Sequence, residues 1–220
     1  MEIRSNKIPL SIVKNHFLTY PKNLPEYFKN IPPLYNSKNP RTKTPRSCSG
    51  FLNLYARSVV FTSPFDIQVN FEDDRWEAFV GAGDLGNQTV SDVPFQQFLQ
   101  YKDNGKYKAI LKFGFNITVQ SKYPLHLNNP WWSLNNFEVV PGVLNTIKHP
   151  LDLNFFMPVE KHVQVLKIKQ GTPLYLISSE NNSDLKISFT EKPFNYNLIN
   201  GLQYRFSTLK DMFLGRKFYD

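Results

Sequence analysis

Only one cysteine, Cys48, occurs in the 220 residues, so no internal disulfide framework can hold the fold. A single thiol suits a reducing compartment. No apolar run approaches the length of about 18 residues that a membrane-spanning helix requires. The opening residues, MEIRSNKIPLSIVKNHF, lack the continuous apolar core and the small-residue cleavage site of a secretory signal. Histidine is scarce, and His16, His126, His149 and His162 form no H-x-H, H-x-x-x-H or H-x-D pattern. Two metal ligands on one strand face or helix turn are therefore not expected, and neither is a metal or other cofactor. His149 and Asp152 lie three apart with Pro150 between them, a spacing that strands do not align. No convergent set of nucleophile, base and orienting acid is evident, so no catalytic residue is assigned.

What is present is aromatic and β-forming. Phe, Tyr and Trp make up 15% of the chain, which favours strands and flat packing layers over a helical bundle. The stretch from Pro141 to Ser178 contains an extended run at Leu151–Met157, an alternating run at Val163–Lys169 and an apolar run at Leu174–Ile177. Between the last two, Gly171 offers a residue free to take positive φ and Pro173 pre-sets entry to the next strand. Ser58–Phe61, Ile67–Phe71, Trp76–Val80, Lys108–Val119 and Phe137–Val140 read as further strands. Val93–Tyr101 has apolar residues at helical spacing after Pro94 and reads as a short helix. Asn195–Phe218 reads as an amphipathic helix with Leu198, Leu202, Phe206, Leu209 and Phe213 on one stripe. The expected fold is mainly β: one β-sandwich or jelly-roll-like domain over 47–194, an extended N-terminal arm over 1–46, and a C-terminal helix over 195–220.

The net charge of +8 is concentrated in that arm. Residues 1–46 hold nine Lys/Arg against two acids, whereas the rest holds 17 against 16. The arm also carries seven of the 16 prolines, a density that prevents long helices. Its apolar residues, among them Ile8, Val13, Phe17, Phe28 and Tyr35, are too numerous for a solvated tail, so it should lie against the domain or a neighbouring copy. Contact with nucleic acid through the basic arm is the lesser reading, because the charge is diffuse and no Arg cluster occurs.

Four residues are candidate ligand or partner contacts: Trp131, Trp132, His126 and Asp66. Adjacent Trp side chains on an extended backbone point to opposite faces, so one can pack inward while the other meets a sugar, a base or a partner chain. Core packing of both rings competes with that reading. His126 is the histidine nearest this aromatic loop in sequence, and packing competes there too. Gly171 and Pro173 are assigned to a structural turn. Cys48, flanked by turn formers, reads as a small buried residue at the arm–domain junction. Gly81, Gly83 and Gly86 mimic a phosphate-binding G-x-G-x-x-G, but Asp84 would repel phosphate and no βαβ unit surrounds them.

Cys48, Pro64-Phe65-Asp66, Trp76, Pro130-Trp131-Trp132, Gly142-Val143, Thr146, Pro150 and Ile168 with Gly171-Thr172-Pro173 follow one another in a recognisable order. Over roughly residues 47–178 this resembles an uncharacterised family of β-sheet domains found in tailed phages of marine bacteria and in some bacteria. The resemblance implies a non-enzymatic structural or interaction protein of a virion that assembles through its arm and β-domain. The partners would be copies of itself or other virion proteins, with no membrane, and the location the virion or host cytoplasm. The alternative is a ligand-binding or enzymatic β-sandwich that takes a sugar or nucleotide at the Trp131-Trp132 loop. Residues 142–177 also resemble, distantly, the deoxyuridine triphosphatase-like β fold. Asn145 and Lys148 stand where those enzymes carry their nucleoside-binding Asp and Tyr, so the likeness implies β geometry without that activity.

Overall fold

The structure is a computed structural model that describes residues 1–5, 8–25, 28, 31, 48–72, 75–80, 97–100, 106–130, 137–147, 149–181 and 183–191. The chain is mainly β and forms several sheets around one continuous core. The long strand β7 (Tyr107–Gln120) organises the first sheet. On one side it pairs antiparallel with β10 (Leu151–Glu160). On the other it pairs with β6 (Gln97–Gln100) at one end and β1 (Glu2–Ser5) at the other. Parallel to β1 runs the short β13 (Ser188–Phe189). The second sheet has the order β2 (Phe17–Leu18), β3 (Ser58–Thr62), β12 (Pro173–Ser179), β8 (Leu125–Asn128) and β9 (Gly142–Leu144). The third joins β11 (Val165–Ile168), β4 (Ile67–Glu72) and β5 (Arg75–Val80).

Burial follows the sequence pattern. On β10 every second residue from Leu153 to Val159 is buried, as expected for a strand with one covered face. On β3 all five residues of SVVFT are buried, because this strand is covered on both faces. Phe61 and Tyr175, register partners on β3 and β12, face the first sheet. There Phe155 of β10 stacks on both, with ring centroids 5.3 and 4.8 Å away. Phe115 of β7 meets Phe155 edge-on at 5.3 Å, a geometry that the ring quadrupoles favour. The opposite face of β3 and β12 offers Val60 and Leu176 to Tyr55 of α2 (Ser49–Ala56).

The first 25 residues, expected as an extended arm, are woven into both large sheets. Between β1 and β2 lies the six-residue helix α1 (Leu10–Asn15), started by Pro9 and burying Val13. Ile3, Ile8, Val13 and Phe17 all enter the core. Asn23 is buried and its amide nitrogen donates to the carbonyls of Tyr55 (2.7 Å) and Ser58 (2.9 Å). Phe28 stacks on Phe51 at 4.9 Å. The remaining residues of 26–46, apart from Ile31, lie outside the described residues, as does the helix expected over 195–218.

Several local readings are corrected. Of the helix expected over Val93–Tyr101, Gln97–Gln100 is strand β6, since the short apolar pattern fits either period and β7 supplies a ladder at Ala109–Lys112; the other residues of that stretch lie outside the described residues. Phe137–Val140 is not a strand. Its Val140 N–H bonds Phe156 O at 2.7 Å, but Val139 N–H goes to the Asn129 side chain and Pro141 has no donor to continue a ladder. Cys48 is exposed, because its carbonyl accepts the first bond of α2 from Leu52 and the helix turns Tyr55 inward instead.

Tyr175 combines core packing with a polar tie. Its hydroxyl donates to Val140 O at 3.2 Å, and burial pushes its ionisation up to about 12. The folded chain holds this proton more tightly than the unfolded chain does. Stability is therefore complete below the ordinary tyrosine value near 10 and is lost as pH rises through about 12, by about 2–3 kcal/mol. Urea denaturation of the unmodified chain and of Tyr175→Phe should show their stability difference shifting toward the variant between pH 8 and pH 11. A constant difference would contradict this assignment.

Candidate functional site

The residues singled out in the sequence are dispersed. Trp131 and Trp132 lie outside the described residues. His126 is half-buried in β8, between its register partners Ser178 and Val143. Asp66 is exposed, and its carboxylate accepts the Gln170 N–H at 2.7 Å. It thereby belongs to the same corner as Gly171 and Pro173. Gly171 has φ of +81°, and its N–H donates to Ser63 O at 2.8 Å. Ser63 N–H in turn donates to Thr172 O at 2.8 Å, and the buried Ser63 hydroxyl to Phe65 O at 2.7 Å. The motifs Ser63-Pro64-Phe65-Asp66 and Gly171-Thr172-Pro173 thus lock to each other, and their chemistry is satisfied by backbone. This corner orders the passage from β11 to β12 and leaves Asp66 a turn clamp.

A different group of polar residues lines a groove of about 350 Å³ where β7 begins, β10 ends and β11 begins. Phe137, Pro158, Val159, Val163 and Leu166 give it an apolar wall, and Lys106, Tyr107, Glu138, Glu160 and His162 its polar part. Two features of the backbone create this arrangement. The ladder between β10 and β7 slips after Val159, which faces Ala109, so that Glu160 faces Tyr107 and Lys108 is left over as a bulge. The bulged Lys108 then reaches Val163 O at 2.5 Å, with its ammonium 4.6 Å from the Phe71 ring centroid. That pair of contacts ties the β10–β11 turn to β7 and β4. Lys161 N–H to Lys106 O (3.0 Å) and Val163 N–H to Glu160 O (3.1 Å) close the turn.

Glu160 is the centre of the polar group. Lys106 Nζ lies 3.2 Å from Oε1 and His162 Nδ1 3.3 Å from Oε2. Hydrogen bonding to the Tyr107 side chain, and then to Glu160, raises the Lys106 ammonium above its ordinary value. The side chains of Lys106 and His162 are 62% and 78% exposed, so these pairs contribute little to stability. They do hold a carboxylate between two nitrogen donors at the edge of an apolar groove. Among the described residues no group of three His, Cys, Asp or Glu is placed to hold a metal ion.

This group could not be assembled from the sequence. Glu160-Lys161-His162 is visible as a polar break after an apolar run, but Lys106 and Tyr107 join it only through the slipped register. No protein-family model, curated protein or solved structure matches the chain.

The corner supplies the direct test of its own geometry. A Cβ on Gly171 would meet nothing within 4 Å, so a substitution there reports backbone conformation alone. Gly171→Val should cost about 1–3 kcal/mol and Gly171→Asn distinctly less, because Asn tolerates the left-handed region. Equal urea midpoints for the two variants would rule out the positive φ.

Proposed function

We propose that the protein is a jelly-roll-like β-sandwich that serves as a non-enzymatic structural or interaction component of a phage particle. Its partners are further copies of the chain or other virion proteins. The phage part of this reading rests on the order of motifs across residues 47–178. The assembly part rests on the surface of the second sheet.

The observation that carries it is the outer strand β9. It closes the order β2-β3-β12-β8-β9 and, among the described residues, pairs with β8 alone. Val143 on this strand is 62% exposed, and Val140 and Ile147 on either side of it are exposed too. Single exposed apolar residues are ordinary. Three within eight residues, one of them on a strand whose outer edge is unpaired among the described residues and the others flanking it, form the kind of surface that another strand or chain covers. Soluble monomers commonly protect such an edge with Lys or Pro, and here Pro141 precedes β9 while its centre is Val. The N-terminal segment supports the same reading from inside. By placing β1 in one large sheet and β2 in the other, it ties the two sheets together, which suits a component of an assembly.

Sedimentation velocity over a range of concentrations tests the proposal. The unmodified chain should self-associate or form larger species with partner proteins, and Val143→Lys should shift it to monomer without changing its melting temperature. A monomer at every concentration, with an inert β9 edge and no co-sedimenting partner, would overturn it.

A further inference from the structure

We propose that the groove between the start of β7, the end of β10 and the start of β11 is a binding site for a neutral sugar ring. The inference is independent of the β9 edge and of assembly. Its volume of about 350 Å³ lies at the small end of ligand sites, which run from about 300 to 1,000 Å³. That suits one or two rings and is small for a dinucleotide.

The lining distinguishes among small ligands. Phe137, Pro158, Val163 and Leu166 present hydrocarbon, which complements the C–H face of a sugar ring. In the same groove, each oxygen of Glu160 sits beside a nitrogen: Oε1 by Lys106 at 3.2 Å and Oε2 by His162 at 3.3 Å. A pair of neighbouring hydroxyls needs such an alternation. One hydroxyl donates to the carboxylate while the next accepts from the ammonium or imidazole. The exposure of Lys106 and His162 leaves both reachable from solvent, and their surface pairs with Glu160 are weak enough to reorganise around a ligand.

Charge narrows the class further. The groove carries two carboxylates, Glu138 and Glu160, together with the Lys106 ammonium. A phosphate or carboxylate ligand would meet the two acids, and an amine would meet Lys106. A neutral polyol uses donors and acceptors of both signs without bringing a net charge of its own. The site therefore selects hydroxyl groups over ionic ones.

Saturation-transfer NMR on the full chain decides the matter, with glucose, galactose, mannose, N-acetylglucosamine, lactose and maltose as probes. Glucosamine, glucuronate and adenosine monophosphate serve as charged comparisons. At least one neutral sugar should receive saturation. Glu160→Ala and, separately, Lys106→Met should each weaken that sugar by about tenfold or more, the loss expected for a hydrogen bond to a charged group. Both variants should keep the melting temperature of the unmodified chain, which separates a lost site from a lost fold. The proposal is overturned if no neutral sugar responds, if a charged comparison binds more tightly than every neutral one, or if binding survives in both variants.

Discussion

The Phe155 ring, stacked on Phe61 and Tyr175 with Phe115 against its edge, is the contact on which the rest of the structure depends. Phe61 and Tyr175 are cross-strand partners in the second sheet, while Phe155 and Phe115 belong to the first. Four rings thus join the two sheets at the centre of a shared apolar core, to which Val59, Leu125 and Ile177 of the second sheet and Ile117, Leu153 and Met157 of the first also contribute. All four are essentially inaccessible to solvent, and aromatic side chains of this size dominate the apolar area that a core buries. Because interiors are close-packed, fixing Phe155 also fixes the rotation and height of β10 relative to β3 and β12.

From that fixed strand the register of β7 determines how the first sheet is built and where the groove forms. Between Asp152 and Asn154 of β10 the partner on β7 jumps from Thr118 to Gly114, and Asn116 takes φ of +52° within the bulge. Along its other edge β7 pairs with β6 at one end and with β1 at the other. The second slip, at Lys108, turns Tyr107 and Glu160 toward the groove. Bulges at a sheet's end re-aim side chains without altering the core, and here the core face of β7 stays buried from Leu111 to Val119. The N-terminal residues add the remaining constraint, since β1 and β2 bind the two sheets from the same short stretch of chain.

Much of the core was legible in the sequence. The alternation in LDLNFFMPVE, the buried run SVVFT and the Gly-Thr-Pro corner each specify local geometry, and the strands over these residues follow directly. Positive φ at Gly171 was legible for the same reason. What sequence could not supply was register. Asp66 stood among the candidate contacts, and its backbone partner, the Gln170 N–H, is 104 residues away. The groove was hidden in the same manner, since Lys106 and Glu160 meet only through a one-residue slip. Val93–Tyr101 misled at Gln97–Gln100 because so short a run carries too little periodicity to separate a helix from a strand.

The central claim is that Phe155 joins the two large sheets into one cooperative unit. Urea denaturation of Phe155→Ala, followed by both tyrosine fluorescence and far-ultraviolet circular dichroism, tests it most directly. The account predicts a loss of about 3–5 kcal/mol, the range for emptying a buried aromatic site, with both signals still moving in one shared transition. A loss below about 1 kcal/mol, or a chain that melts in two separate steps before the substitution is made, would contradict it.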